Sequence, residues 1–281
     1  MSIIIDDNCE ENKIIEISPS GRFKRFNGIL GEGSSKTVYK GIDLTNNTFI
    51  AWNIISLANL IQKNKEKICK EVEIFKSVNH KNILKMLNYW YNKEKKEIVI
   101  ITEIMCYSLK DFIQKYSCII NIENIKKWCL QIIEGLNYLH SNNIIHRDLK
   151  LNNIFIDSHT SRICIGDFGS STNIKTYSCI GTPEYMAPEM YDEDYDEKVD
   201  IYSFGMCLLE MLTNEIPYNE CDNIAQIYKK VSSKILPLSL EKVEMTNFKD
   251  IITILLGPKE LRPSTLELLN NNIFYSESES E

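Results

Sequence analysis

Two short polar motifs in the middle of the chain carry side chains of the kind that move phosphoryl groups. The first, "HRDLKLNN", begins at His146, and the second, "DFG", begins at Asp167. Amide and carboxylate oxygens such as those of Asn153 and Asp167 are ligands that Mg²⁺ prefers. The Asp148 carboxylate can accept the proton of a substrate hydroxyl, and Lys150 can neutralise a transferring phosphoryl group.

These motifs stand in the order of the protein-kinase signature. "APE", Ala187 to Glu189, follows them, and a glycine-containing loop and a helical pattern precede them. Any one triplet can occur by chance, whereas the ordered set is specific. A lysine two residues after Asp148 is typical of Ser/Thr rather than Tyr kinases. The alternative, that these are turn and cap residues of an inactive fold, is disfavoured because the full acid and metal set is present.

The elements around the motifs predict two regions of different secondary structure. From Arg22 to Met105 strand patterns dominate, including a hairpin of "KTVYKGI" and "FIAWNII". One helix is predicted in this region, because Ile68, Val72 and Phe75 recur at helical spacing. From about Cys106 onward helical patterns dominate. The expected fold is α+β: the two-lobed protein-kinase fold, with a small β-rich N-lobe that includes one helix and a larger α-helical C-lobe.

The expected domain boundaries follow from composition. Residues 1–20 are polar and acidic and are expected to form a flexible N-terminal arm, and "SESESE", residues 276–281, to form a disordered acidic tail. The kinase domain is placed at residues 21–275, with its N-lobe at 21–105 and its C-lobe at 106–275.

Composition and charge disfavour several classes of protein. With 281 residues and 43% hydrophobic content, the chain suits one domain of two lobes with a sizeable core. A formal net charge of −7 argues against nucleic acid as a partner, since nucleic-acid binding needs a basic face. No uninterrupted apolar stretch reaches the roughly 18 residues of a membrane span, and no secretory signal is evident. We therefore predict a cytoplasmic protein, whose nine scattered cysteines suit small buried hydrophobes.

The lysine that binds the nucleotide phosphates in kinases is missing from its usual position in the N-lobe. In most kinases this lysine lies on the third strand next to an alanine, and here Asn53 stands there, after Ala51. Glu71 lies on the apolar face of its helix, where a carboxylate is costly unless paired; the alternative is a surface glutamate at the edge of that face. Side chains two apart on a strand share a face, so Lys36 points the same way as Val38, which is at the position that packs on adenine in kinases. Lys36 is therefore the predicted partner of Glu71.

This relocated lysine resembles the with-no-lysine (WNK) Ser/Thr kinases, which carry it at the third glycine position of the loop. "GEGSSKTVYKG" and "AWN" are similar to the family's loop and its "AWC" strand, and seventeen positions separate Lys36 from Asn53. The resemblance continues through "SCIGTPEYMAPEMYDEDYDEKVDIYSFGMCLLEM" and "PYNECDNIAQIYKKV". It covers nearly the whole chain, from about Arg22 to Phe274.

The resemblance implies an ATP- and Mg²⁺-dependent kinase that phosphorylates Ser/Thr hydroxyls of protein substrates, with transient self-association for autophosphorylation. The implied catalytic residues are Lys36, Glu71, Asp148, Lys150, Asn153 and Asp167, of which Asn153 and Asp167 hold the metal. The implied ATP-binding residues are Leu30, Gly31, Gly33, Lys36, Val38, Ala51, Thr102, Glu103, Met105 and Phe155. Ser178 matches the activating phosphoserine, with Arg147 as its expected partner. The alternative is a pseudokinase scaffold that binds nucleotide or partner proteins without turnover.

The resemblance also assigns supporting residues. Thr182 matches the residue that braces the catalytic aspartate, and Asp200 matches the one that holds the catalytic loop. Glu189 and Arg262 match a buried ion pair that anchors the activation segment. The stretch "GTPEYMAPE" shapes a peptide-binding platform in protein kinases, which speaks against a small-molecule substrate.

The chain departs from the family at the "DFG" motif, which usually reads DLG. The family is known for an inhibitory chloride ion beside this motif, enclosed partly by two leucines. Phe168 and Ser170 take their places here. Because phenylalanine is bulkier and serine brings a hydroxyl, we expect weak or absent inhibition by chloride.

Overall fold

The structure is a computed structural model, and its description is confined to part of the chain. The described residues are 13–33, 36–58, 62–171, 181–192 and 194–275. They fall into two compact units: unit 1 consists of the chain up to Lys70 together with Leu84–Ile104, and unit 2 consists of Glu71–Ile83 together with the chain from Met105.

Unit 1 is built on one antiparallel sheet. Its strands are β1 (Ile14–Ile17), β2 (Phe23–Glu32), β3 (Lys36–Asp43), β4 (Thr48–Ser56), β5 (Met86–Asn92) and β6 (Glu97–Glu103). The strand order in the sheet is β1-β2-β3-β4-β6-β5. The predicted hairpin is β3 with β4, which pair along their whole length with Val38 opposite Asn53.

One face of this sheet forms the apolar core of unit 1. Its central members, all fully buried, are Phe23, Ile50, Trp52, Val99 and Ile101. Trp90 packs edge-on against Trp52, with the ring centroids 5.0 Å apart. Because side chains alternate along a strand, the residues between these core positions on β4 and β6 project from the opposite face.

Strand β1 differs from the expected flexible arm. Ile14 pairs with Phe26 and Glu16 with Arg25 on β2. The Glu16 carboxylate lies 3.5 Å from Nε of Arg25 and 3.1 Å from Nζ of Lys95. Backbone pairing and these ion pairs order a segment that its polar neighbours in the sequence made look unstructured. Residues 1–12 and 276–281, the remainder of the expected arm and tail, lie outside the described residues.

Helix α1 (Gln62–Ser77) is the helix that apolar spacing predicts, but its C-terminal half groups with unit 2 and not with the predicted N-lobe. The reason lies in the turn that follows the helix. Nδ2 of Asn82 donates to Oε1 of Gln131 at 3.1 Å and to the Ile163 carbonyl at 2.9 Å. These bonds fasten the segment to unit 2. The other predicted lobe boundary, after residue 105, is found one residue earlier.

Unit 2 is mainly helical. Its helices are α2 (Leu109–Tyr116), α3 (Ile122–Ser141), α4 (Lys198–Thr213), α5 (Ile224–Ser232), α6 (Thr246–Leu255) and α7 (Thr265–Leu269). A small antiparallel sheet in the order β7-β8-β9 consists of β7 (Tyr107–Ser108), β8 (Ile154–Asp157) and β9 (Arg162–Ile165). Short 3₁₀ turns at Leu151–Asn153, Phe168–Ser170 and Pro183–Tyr185 carry the motif residues.

Helix α4 is the central element of unit 2. Every residue from Val199 to Met211 is buried, as expected for a helix that is apolar on nearly all sides. Gly205 lets α6 approach closely, because a Cβ at this position would lie only 2.9 Å from the Leu255 Cβ. The polar residues inside this helix therefore need partners from the segments packed around it.

The expected ion pair between Glu189 and Arg262 is confirmed. The fully buried Arg262 side chain donates to both carboxylate oxygens of Glu189, one of them at 3.0 Å. Its Nε also donates to the Gly257 carbonyl at 2.8 Å. This two-pronged contact joins the "APE" turn to the segment after α6.

The cysteines only partly match the expectation of buried hydrophobes. Cys129, Cys164 and Cys207 are buried, but the thiols at positions 69, 106 and 118 are exposed, so the expectation is wrong for these three. Composition alone does not show which thiols face solvent. Among the described residues, no helix combines the length and the apolar character that crossing a membrane requires.

We predict that Arg262→Met destabilises the fold by about 3–5 kcal/mol, because it leaves the Glu189 carboxylate with a mostly buried, uncompensated charge. The matched control is Lys249→Met, which removes an ion pair with Glu241 that is largely exposed to solvent. That change should cost less than about 1 kcal/mol. Thermal unfolding of both variants measures the difference, and equal losses would contradict the anchoring role of Arg262.

Candidate active site

The side chains predicted to meet the nucleotide share one face of the unit 1 sheet. Val38 lies opposite Asn53, and Ala51 lies opposite Thr102. Directly opposed residues of an antiparallel pair project to the same side, and so do residues two apart on one strand. Lys36 at the start of β3 therefore lies on the same face as the other four side chains, which confirms the predicted shared face of Lys36 and Val38.

The remaining ATP-binding candidates lie on several elements. Leu30 and Gly31 are on β2, and the Gly33 amide donates to the Lys36 carbonyl at 2.8 Å, which closes the loop between β2 and β3. Glu103 ends β6, and its Oε1 accepts from the Lys85 amide at 2.9 Å. The candidates of unit 2 are Met105, whose sulfur accepts from Arg162 Nη2 at 3.7 Å, and Phe155 on β8.

Asn53, at the usual position of the lysine, is buried, and its side chain binds backbone carbonyls of the sheet. Its Nδ2 donates to the Ile100 carbonyl at 3.1 Å and to the Ala51 carbonyl at 3.3 Å. A neutral amide satisfied by the backbone provides no charge for phosphate. Glu71 is buried on α1, as its place on the apolar face predicts, and belongs to unit 2. Its pairing with Lys36 stays a prediction.

The Asp148 carboxylate is the centre of the polar cluster in unit 2. Thr182 Oγ1 donates to Asp148 Oδ1 at 2.7 Å, which confirms the expected brace. Lys150 Nζ donates to the same threonine hydroxyl at 2.6 Å and lies 3.1 Å from Asp148 Oδ2. Asn153 Nδ2 donates to Asp148 Oδ2 at 3.0 Å and to its carbonyl at 2.8 Å. Contacts from three residues thus fix the plane of the carboxylate.

Asp200 holds the loop that carries this cluster, as expected. Its fully buried carboxylate accepts from the backbone amides of His146 at 2.9 Å and Arg147 at 2.8 Å. His140 Nε2 lies 2.9 Å from the same group. Burial alone would raise the pKa of the Asp200 carboxyl, but the hydrogen bond and charge of His140 outweigh it and hold the pKa below its ordinary value.

The "DFG" turn is positioned by aromatic packing. Phe168 is buried and stacks on Phe75 of α1, with centroids 4.9 Å apart, and meets the His146 ring edge-on at 5.5 Å. Asp167 adopts the left-handed conformation, with φ of 58°, which is uncommon for a residue other than glycine. The buried Phe168 ring fits the expectation of weak chloride binding, which stays a prediction. The Ser170 side chain lies outside the described residues.

The donor set suits a magnesium ion that arrives with nucleotide phosphates. Since Asn153 uses its Nδ2 on Asp148, its carbonyl Oδ1 is the atom left to serve as a ligand. Asp167 would supply carboxylate oxygen. Across the described ranges, no group of three or more His, Cys, Asp or Glu side chains is gathered to hold a metal alone. Phosphate-bound Mg²⁺ needs only one or two protein ligands, so Asn153 and Asp167 fit it.

Comparison with known proteins agrees with this arrangement. The family described as "Protein kinase domain" matches residues 25–274. The chain belongs to the protein kinase family. The match covers β3 to β6 and most of β2 in unit 1, and helices α2 to α7 in unit 2.

Several named kinases are similar to this domain over nearly its whole length. "Serine/threonine-protein kinase WNK8" of Arabidopsis thaliana is 46% identical over 268 residues, which is 93% of this chain and 48% of that protein. "Serine/threonine-protein kinase WNK3" of Mus musculus is 42% identical over 95% of the chain and 16% of its own length. "Serine/threonine-protein kinase Wnk" of Drosophila melanogaster is 43% identical over 97% and 11%. The resemblance to the WNK kinases is confirmed, and the chain spans at most about half the length of these relatives.

The activation segment of this kinase is only partly described. Arg147 is buried, and its guanidinium donates to the Tyr195 hydroxyl at 3.2 Å and to the Ser171 carbonyl at 3.4 Å. Ser178 lies outside the described residues. Its phosphorylation and its contact with Arg147 therefore stay predictions.

Sequence reasoning missed two residues that support the kinase's catalytic loop. His140 binds Asp200 from the last turn of α3, and Tyr195 binds Arg147 from the segment before α4. A histidine at the buried end of an apolar helix is a signal that it has a polar partner, but spacing does not identify that partner. Tyr195 carries no such signal in its acidic surroundings.

We predict that Thr182→Val lowers kcat about 10- to 100-fold with little change in KM for ATP, because the Asp148 carboxylate loses its brace and misaligns. Thr182→Ser keeps the hydroxyl and should retain most activity. Steady-state kinetics of the two variants measure this. Equal activity of the valine and serine variants would show that the hydroxyl does not position Asp148.

Proposed function

We propose that this domain transfers the γ-phosphoryl group of Mg·ATP to serine and threonine hydroxyls of protein substrates. The observation that carries the proposal is the cluster in which Thr182, Lys150 and Asn153 all bind Asp148. A carboxylate held this firmly is suited to accept a proton at one defined place. The printed names of the relatives, all Ser/Thr kinases, support the same reaction.

The residues divide the work of this reaction. Asp148 accepts the proton as the substrate oxygen bonds to the γ-phosphorus, and the bond from that phosphorus to the bridging oxygen breaks to release ADP. Lys150 neutralises the transferring group. Asn153 and Asp167 would hold the magnesium ion of Mg·ATP, which would offset the charge of the phosphates.

Lys36 supplies the cation that Asn53 lacks. An ammonium is a compact charge on a flexible stem, so it can serve phosphate from a different strand. Its face of the sheet is shared with Val38 and Ala51, the residues expected beside adenine. We infer that Lys36 contacts the phosphates and that Glu71 orients it through an ion pair, as in the WNK kinases that this chain resembles.

The regulation of the kinase is inferred from the same resemblance. We propose that Ser178 is phosphorylated in the active enzyme and that transient self-association serves this autophosphorylation. The added phosphate brings close to two negative charges, which can order a loop against arginine. The protein is proposed to act in the cytoplasm on other proteins.

The direct test of the reaction is transfer of radiolabel from ATP to a generic Ser/Thr substrate in the presence of Mg²⁺. The wild type should label the substrate, and Asp148→Asn should abolish transfer while nucleotide affinity by calorimetry stays nearly intact. Asp167→Ala should lose Mg²⁺-dependent affinity as well. Nucleotide binding by the wild type without any transfer would favour the pseudokinase alternative instead.

For the lysine, we predict that Lys36→Met cuts kcat by on the order of a hundredfold, since one electrostatic contact to a developing charge is worth several kcal/mol. Asn53→Ala is the matched control, because it removes a buried polar side chain of the same face that carries no charge. It should cost far less activity once the protein is folded. Wild-type turnover in Lys36→Met would contradict the relocated lysine.

A further inference from the structure

A buried carboxylate outside the catalytic cluster is matched by an internal cation. Glu210, near the C-terminal end of α4, is almost fully buried, and Tyr185 donates its hydroxyl to Glu210 Oε2. The Lys110 ammonium lies 3.5 Å from the other oxygen, Oε1. The Lys110 side chain itself remains 18% exposed, so it lies between the buried carboxylate and the protein surface.

This group adjoins the segment that meets the acceptor hydroxyl. Tyr185 ends the 3₁₀ turn that starts directly after Thr182, and its amide donates to the Thr182 carbonyl at 2.9 Å. Thr182 in turn binds Asp148. Lys110 is the second residue of α2, a helix that packs against the turn Leu151–Asn153 of the catalytic loop. A substrate whose hydroxyl reaches Asp148 therefore passes close to Glu210.

The electrostatic balance of Glu210 depends on Lys110. Burial raises the pKa of the Glu210 carboxyl above its ordinary value, while the Tyr185 hydrogen bond and the Lys110 charge oppose that shift. A buried carboxylate without a cation is strongly unfavourable and favours any cation that can reach it. Removing the Lys110 side chain would expose this carboxylate from the surface.

We propose that Lys110 is a specificity-determining residue. Its ion pair with Glu210 prevents the kinase from selecting substrates with basic residues. This inference rests on the proposed protein-kinase function. The lysine takes the place that an arginine or lysine of a substrate would otherwise fill. An Arg side chain on a substrate then gains nothing at Glu210 and must compete with an ammonium that is already part of the fold.

A second carboxylate, Glu184, lies near Glu210, and its effect on substrate selection must be distinguished from that of Glu210. It lies in the same turn as Tyr185, raises the pKa of Glu210 by charge repulsion, and is more exposed. Exposed charges are screened by water and salt, so Glu184 contributes less to selection than a buried group does. The selectivity attributed to Lys110 should therefore persist in a Glu184→Gln background.

The test compares kcat/KM for peptides that carry arginine or alanine at each position around the acceptor serine. For the wild type the Arg/Ala ratio should stay near one at every position. In Lys110→Ala the ratio should rise about tenfold or more at one position, the gain expected of a charge-assisted hydrogen bond. The ratio is compared at several pH values, because burial raises the pKa of Glu210 and protonation of its carboxylate would remove the gained preference.

Three variants make the result specific. Lys110→Arg keeps a cation and should behave as the wild type. Glu210→Gln combined with Lys110→Ala should remove the gained preference. Lys110→Gln gives a second neutral variant with more of the packing retained, and it should show the same gain as Lys110→Ala.

The proposal is overturned if neither neutral variant gains an arginine preference, or if the wild type already prefers arginine and Lys110→Ala leaves that ratio unchanged. Transfer to the alanine peptide by the wild type reports on the proposed kinase function separately, because it does not depend on the ratio.

Discussion

The cost of burying charge governs how this kinase is built. Asp200 is fully buried on α4, and its carboxylate is tolerated because two backbone amides and His140 bind it. Those amides belong to His146 and Arg147, so the same bonds that stabilise the charge fix the start of the catalytic loop. Asp148 follows directly and is oriented by Thr182. The contacts that stabilise a buried charge in the core thus also fix the position of the Asp148 carboxylate.

The same constraint explains the sheet of unit 1. The usual lysine position is buried between β3 and β6, and here it holds Asn53, whose amide is satisfied by backbone carbonyls. An uncharged side chain at this point needs no ionic partner. We propose that the positive charge for phosphate is left to Lys36, at the start of β3 beside the loop. On this proposal, Lys36 carries the chemistry and Asn53 the packing of one sheet face.

Local sequence predicted the parts that depend on local rules. The motif order identified the catalytic cluster, and apolar spacing identified α1 and the β3–β4 hairpin. The ordered strand β1 was not predicted, because its support comes from pairing with β2 and from Lys95, which is distant in sequence. The partition of α1 between the two units was missed for the same reason, since Asn82 binds atoms of α3 and β9. A contact between a single polar residue and a partner distant in sequence produces no periodic pattern from which it could be predicted.

The central claim is that Lys36 is the lysine that contacts the phosphates of bound ATP. An ATP analogue with a reactive acyl group on its terminal phosphate acylates a lysine held beside that phosphate, and peptide mass spectrometry identifies the residue. The account predicts that Lys36 is the main lysine acylated and that excess Mg·ATP suppresses the reaction. Labelling that ATP suppresses at another lysine of the chain, with Lys36 unmodified, would contradict it.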